Sequence, residues 1–137
     1  MKEVVIAAAA RTPIGNFGGA LKDLTPHKMG ELAVREVIAR AEFDPRLIDE
    51  VIIGSVGHTS DAYNVARVIA LMAGLPVQTP AYSVQRNCSS GLQPFVNAYQ
   101  NIQSDDADVQ VVGGVESMSR APFVSRDMRW GKRLRHA

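Results

Sequence analysis

Four short apolar runs alternate with three stretches of helical periodicity, and this constrains the chain's fold more than any other feature. The runs are Val4–Ala8, Val51–Ser55, Ala81–Val84 and Val109–Val112. Each has strand length, and the first two are continuous apolar runs of the kind found in strands buried on both faces. Thr25-Pro26 opens the first helix, with Thr as cap and Pro at the first position. Met29, Leu32, Ala33, Val37 and Ala41 mark its apolar face, and Glu31, Arg35, Glu36 and Arg40 lie mostly on the solvated side. Asp44-Pro45 ends the pattern. Asn64 caps the second helix, in which Val65, Val68, Ile69 and Met72 recur at helical spacing until Gly74 and Pro76 stop it. Leu92, Phe95, Val96, Tyr99 and Ile102 share one face of a third helix that runs to about Gln103. The order βαβαβαβ predicts an α/β fold, a mostly parallel sheet covered by helices. In such sheets functional groups collect beyond the C-terminal strand ends.

Cys88, the only cysteine, lies at one of those ends. It falls in Gln85-Arg86-Asn87-Cys88-Ser89-Ser90-Gly91-Leu92-Gln93, a strand-to-helix turn. Pro94 limits where the helix can begin, so its start is expected near Ser90, with Ser89, Ser90 and Gly91 suited to turn and cap. That start would place the sulfur beside the free N–H groups of a helix N-terminus, where partial positive charge favours the nucleophilic thiolate. The competing reading is a small buried side chain, as free cysteines often are. Gly113-Gly114 follows another strand end and permits close backbone approach, either to the same site or in plain helix–strand packing.

Composition narrows the classes. The chain has 137 residues, 46% apolar and 21% charged, enough for one domain with a real core. A net charge of +1 gives no reason to expect nucleic acid or an anionic membrane as partner. No apolar run approaches a membrane span, and Met1-Lys2-Glu3 leads straight into a short apolar run without an export signal. Cytoplasm or an organelle matrix is the expected location. The three glycines among residues 11–19 match neither dinucleotide nor P-loop spacing, so a structural turn is expected there. No His/Cys cluster has metal-ligand spacing, and Asp105, Asp106 and Asp108 read as a solvated turn. His27, His58 and His136 fall in no motif that would pair them with Cys88, and surface positions are expected for all three.

Four segments together resemble the thiolases, which make or cleave 3-ketoacyl-CoA thioesters. Arg11-Thr12-Pro13-Ile14-Gly15-x-Phe17-Gly18-Gly19 is similar to the family's opening. Asn64-x-Ala66-Arg67 followed by Ala73-Gly74-Leu75-Pro76 is similar to its second helix, and Asn87-Cys88-Ser89-Ser90-Gly91-Leu92-Gln93 to its nucleophile motif. Gly113-Gly114-x-Glu116-Ser117-Met118-Ser119-x-Ala121-Pro122 is similar to the segment after the fourth strand. Two departures stand out: Pro94 where a small residue is commoner, and Gly57–Tyr63 in place of a Gly/Gln-rich loop.

The resemblance implies a thiolase-like half-domain, incomplete at residues 1–116, with residues 117–137 beginning a substrate-binding loop region. It implies Cys88 as the nucleophile that forms an acyl-cysteine, with acyl-CoA and CoA as substrates and no separate cofactor. It places the catalytic histidine, a second cysteine acting as acid/base and an oxyanion-hole asparagine outside these residues, so the chain alone is expected to be inactive. It also implies a homodimer or tetramer built through Ala81–Arg86, or a complex with the remainder of the enzyme as a separate chain. The alternatives are a ketoacyl synthase-type condensing enzyme, a non-catalytic dimerising module, and an unrelated α/β protein with a redox-sensing cysteine.

Overall fold

The computed structural model describes residues 2–57 and 61–131. Three helices and three strands form its regular part: α1 (Pro26–Ala41), β1 (Glu50–Gly54), α2 (Val65–Met72), β2 (Ala81–Val84), α3 (Gln93–Gln103) and β3 (Gln110–Gly114). The strands pair in the order β2-β1-β3, all parallel, with Ile52 opposite Tyr82 on one side and Val112 on the other. This is the α/β architecture expected, with one strand fewer.

The absent strand is the Val4–Ala8 run. Residues 2–10 form no ladder, and Val5 and Ile6 are exposed. A buried apolar run becomes a strand only where a neighbour accepts its backbone bonds, and here side chains hold the segment instead. Lys2 exchanges bonds with the Gln103 amide and pairs with Asp105, and the Arg40 guanidinium donates to the Ala9 carbonyl.

Because the sheet order reverses at β1, the two crossovers fall on opposite faces. Val51 and Ile53 face α2, packing with Ala66, Ile69 and Ala70, while Val34 of α1 joins the same cluster. Ile52, fully buried, points the other way by strand alternation, towards the face that α3 covers.

Helix ends follow the sequence. The Thr25 hydroxyl accepts from Lys28 N with Pro26 in the first turn, and Asn64 accepts from Arg67 N. Glu42, in the left-handed region at φ 52°, ends α1. Asp44-Pro45 starts a short tight turn, Pro45–Leu47. Gly74, at φ 89°, follows α2.

Two helix faces differ from expectation. On α1 the buried residues are Pro26, Met29, Gly30, Glu31 and Val34, whereas Leu32 is exposed. Gly30 causes the rotation: a β-carbon there would stand 2.3 Å from Ile69 Cδ1, so α2 rests on the bare backbone. Glu31, expected in solvent, is covered and neutralised by Lys28 at 2.6 Å and Arg35 at 2.9 Å. Arg35 also donates to the Met72 carbonyl, tying α1 to the end of α2. On α3, Pro94 and Ala98 are the buried residues, and Leu92, Phe95, Val96 and Tyr99 stand exposed.

The last described stretch contains two tight helical turns, Met118–Arg120 and Asp127–Trp130. Arg126 and Arg129 of the basic end fall within it, while Lys132, Arg133 and Arg135 lie outside the described residues.

Candidate active site

Cys88 stands four residues beyond β2, at the C-terminal side of the sheet, and is exposed. The small-buried-residue reading is therefore overturned. So is the helix start near Ser90: α3 begins at Gln93, and its cap position, Leu92, makes no side-chain bond. The physical reason lies in Ser90, whose hydroxyl is used backwards. Its oxygen accepts from Arg86 N at 2.8 Å and its proton goes to the Asn87 carbonyl at 2.7 Å. Residues 89–92 form tight turns instead, in which the Ser89 carbonyl accepts from both Leu92 N and Gln93 N. A helix dipole fades within about one turn, so Cys88 does not stand at the helix N-terminus that the sequence reading supposed.

The turn itself is closely specified. Ser89 N donates to the Arg86 carbonyl and Ser90 N to the Asn87 carbonyl, winding the chain around Cys88. This requires a left-handed residue at position 87, where φ is 48°, and asparagine is among the few non-glycine residues that accept it.

Two glycines seat the turn on the sheet. A β-carbon on Gly54, the last residue of β1, would stand 1.8 Å from the Ser90 carbonyl oxygen. One on Gly114, the last of β3, would stand 2.8 Å from the Gly91 Cα. Gly114 and the Cys88 turn therefore do share one place in the fold. Gly113 takes no part, since a β-carbon there meets only Ile53 Cδ1 at 3.8 Å.

Glu116 holds the strand ends together. Its Oε2 accepts from Val56 N at 2.8 Å and its Oε1 from Gly57 N at 3.0 Å, so one carboxylate spans the exits of β1 and β3. Val115 N adds a bond to the Gly54 carbonyl. On the other flank the Arg86 guanidinium donates to Gln93 Oε1. The bonds continue from Gln93 to Asn97 and from Asn97 to the Tyr82 hydroxyl. Farther back, the Arg67 fork donates to the Thr79 and Val77 carbonyls, and Asn64 donates to Ala81, which anchors the entry to β2.

Sequence reasoning missed the roles of Ser90 and Glu116, although both stand in the segments it singled out. The signal for Ser90 was an Asn followed three residues later by Ser, a spacing that closes a side-chain turn. Of the three histidines, His27 opens α1 half-buried, with its Nδ1 buried and without a partner among the described residues. His58 and His136 lie outside the described residues. A cavity of about 510 Å³ opens between residues 10–17 and 114–119, with Arg11, Met29 and Glu116 on its walls, and Cys88 does not line it. Among the described residues no three His, Cys, Asp or Glu side chains are placed to hold a metal ion, and no helix is long and apolar enough to cross a membrane.

Residues 4–137 match the family model for the thiolase N-terminal domain. Over 135 residues the chain is 43% identical to the mitochondrial 3-ketoacyl-CoA thiolase of Bos taurus, covering 98% of this chain and 34% of that protein. It is 45% identical to the beta-ketothiolase BktB of Cupriavidus necator, again over 135 residues, covering 97% of this chain and 34% of the other. The crystal structure of the Bacillus anthracis acetyl-CoA acetyltransferase superposes with a TM-score of 0.91 at 44% identity, covering 97% of this chain and 34% of that one. The fold is that of a thiolase N-terminal domain, and the chain belongs to the thiolase family. It spans about a third of the length of these relatives.

Proposed function

We propose that this chain is the N-terminal part of an acyl-CoA C-acyltransferase in which Cys88 carries the acyl group. The observation behind the proposal is an exposed cysteine in a turn fixed at both ends, seated where β1 and β3 end, in a chain of the thiolase family. In the synthetic direction the Cys88 thiolate attacks the carbonyl carbon of a CoA thioester, the bond from carbon to the CoA sulfur breaks, and CoA leaves as a thiol after taking a proton. In the degradative direction it attacks the 3-keto carbonyl of a 3-ketoacyl-CoA, the bond between C2 and C3 breaks, and the departing acetyl-CoA carbanion takes a proton. The acyl-cysteine then passes its acyl group to a second nucleophile. That nucleophile is a CoA thiol in the degradative direction and an acyl-CoA carbanion in the synthetic one.

A general base is usually worth about 10²–10⁴ in rate, and one oxyanion donor about 10²–10³. These residues contain no second cysteine, and His27 sits at the start of α1. Acylation without sustained turnover is therefore the expected behaviour of the 137-residue chain alone. The test is intact-mass and peptide mass spectrometry after exposure to acetyl-CoA or acetoacetyl-CoA. An acetyl adduct on Cys88, absent in Cys88→Ser, supports acyl transfer. A folded chain that never acquires the adduct overturns it and favours a second reading, a module acting by association. That reading draws on the exposed apolar residues of α3 and on the open edge of β2, which a second copy or the remainder of a thiolase would cover.

A further inference from the structure

We infer that Ser90 is the positioning residue for Cys88: its hydroxyl, tied to the two residues before the cysteine, sets where the sulfur stands over the sheet. The inference rests on the acyl-transfer reading for its catalytic meaning, and on geometry alone for its structural part.

Ser90 is 4% exposed, while Cys88 and its other neighbours from Gln85 to Leu92 are exposed. A serine buried within an exposed turn needs partners, and this one has one on each side of its oxygen. It accepts from Arg86 N at 2.8 Å and donates to the Asn87 carbonyl at 2.7 Å. The Asn87 carbonyl also receives Ser90 N at 3.0 Å, so Asn87 is gripped twice by one residue. Residues 87–89 are thus enclosed in a small ring closed by the Ser90 side chain, with Cys88 at its middle. The same residue's carbonyl is pressed onto Gly54, whose β-carbon would stand 1.8 Å from it. Ser90 therefore joins the ring to the sheet: its side chain fixes the turn, and its main chain fixes the turn's place on β1. Without the hydroxyl, two backbone bonds among the described residues hold Asn87 in a left-handed conformation that asparagine tolerates without preferring.

A thiolate must approach a thioester carbonyl along a restricted path, and small misplacements of a reacting atom cost large factors in rate. A small alkylating reagent can reach an exposed sulfur from many directions. Loss of the ring should therefore separate the two reactions.

The experiment uses the whole chain. In the wild type, hydrogen exchange read by NMR should show a protected Arg86 amide on an otherwise exposed residue. Ser90→Ala should expose that amide, with exchange about tenfold faster or more, while amides of β1 and α2 keep their protection. Acylation of Cys88 by acetyl-CoA should fall about tenfold or more, with iodoacetamide alkylation staying within about twofold. Ser90→Thr, which keeps the hydroxyl, should recover both the protection and the acylation. An unprotected Arg86 amide in the wild type overturns the inference without recourse to any variant. So does a Ser90→Ala chain whose acylation and alkylation fall together, which marks a loss of structure rather than of position. If the wild type takes no acyl group at all, the acyl-transfer reading fails while the exchange measurement still decides whether Ser90 holds the turn.

Discussion

Gly54 and Ser90 are packed main chain to main chain: the end of β1 lies so close beneath the Ser90 carbonyl that a β-carbon on Gly54 would come within 1.8 Å of its oxygen. The obstructing atom is backbone, which cannot swing aside as a side-chain tip can. Gly54→Ala should therefore displace either β1 or the Cys88 turn, at a cost of about 1–3 kcal/mol or more. Gly114→Ala, 2.8 Å from the Gly91 Cα, should behave similarly but less severely. Gly113→Ala is the control, because its β-carbon would meet ordinary contacts only. Urea midpoints should rank wild type and Gly113→Ala together, then Gly114→Ala, then Gly54→Ala. A Gly54→Ala chain as stable as wild type would show that the contact is not maintained in solution.

Glu116 makes the second link between strand ends, and its two bonds identify what to measure. Glu116→Ala removes the acceptors for Val56 N and Gly57 N together. The carboxylate is exposed, so a net loss typical of an ordinary hydrogen bond, about 1 kcal/mol, is expected, or about fivefold faster exchange of those two amides. Glu116→Gln keeps one acceptor oxygen and should release one amide of the pair. Unchanged exchange at both positions in Glu116→Ala would refute the clamp.

The elements at Pro26, Val65 and Ala81 were legible because local chemistry fixes their ends: Thr25 and Asn64 as caps, and Gly74 and Pro76 as stops. What the sequence hid were relations between distant residues. Leu32 carries an apolar side chain at helical spacing yet stays exposed, because Ile69 approaches α1 at Gly30, two positions away and on nearly the opposite face of the helix. Val5 and Ile6 read as a buried strand, but a run of apolar residues does not disclose whether a partner strand accepts its backbone bonds. Cys88 was found from its motif and the strand end before it. Its surroundings were misjudged because Ser90 looked like a forward cap, whereas its hydroxyl turns back to Arg86 and Asn87, a relation that depends on the fold of the whole turn.

Two glutamates should tilt the pH dependence of stability in opposite directions. The Lys28 ammonium, with Arg35 adding to it, holds the Glu31 carboxyl below the usual carboxylate range against the opposing effect of burial. Its stabilisation is present above the unfolded-state value, about 4.3, and is lost as pH falls through the lowered folded value. Burial raises Glu50, with the Gln110 amide bond opposing. Its contribution is therefore complete below the ordinary value and lost as pH rises through the raised one. Glu31→Gln should be less stable than wild type at pH about 7 and converge with it in acid. Glu50→Gln should be more stable at neutral pH, and the gap should close in acid. Its new amide also gives Gln110 Oε1, buried without a partner, a possible donor. Urea unfolding across that pH range checks both, and a Glu50→Gln chain weaker than wild type at neutral pH would contradict the sign assigned to Glu50.

The open edge of β2 governs how the chain should associate. The Lys2 and Ala9 segment, tethered through α3 and α1 side chains, forms no ladder with β3. The outer edge of β2 has no partner strand among the described residues, and Leu92, Phe95 and Val96 are exposed on or beside α3. An open strand edge is a template for another strand, and exposed apolar side chains favour association. Two copies meeting about a two-fold axis bring identical edges together antiparallel, so the contact is self-complementary and closes at the dimer. Light scattering at micromolar concentration is therefore expected to give a dimer or a larger closed assembly. Phe95→Glu combined with Val96→Glu should convert it to a monomer without changing the circular dichroism spectrum, because both side chains lie off the buried face defined by Pro94 and Ala98. A wild-type chain that is a sharp monomer and resists proteolysis would remove the case for association through β2. A double variant that stays dimeric would place the contact on another surface.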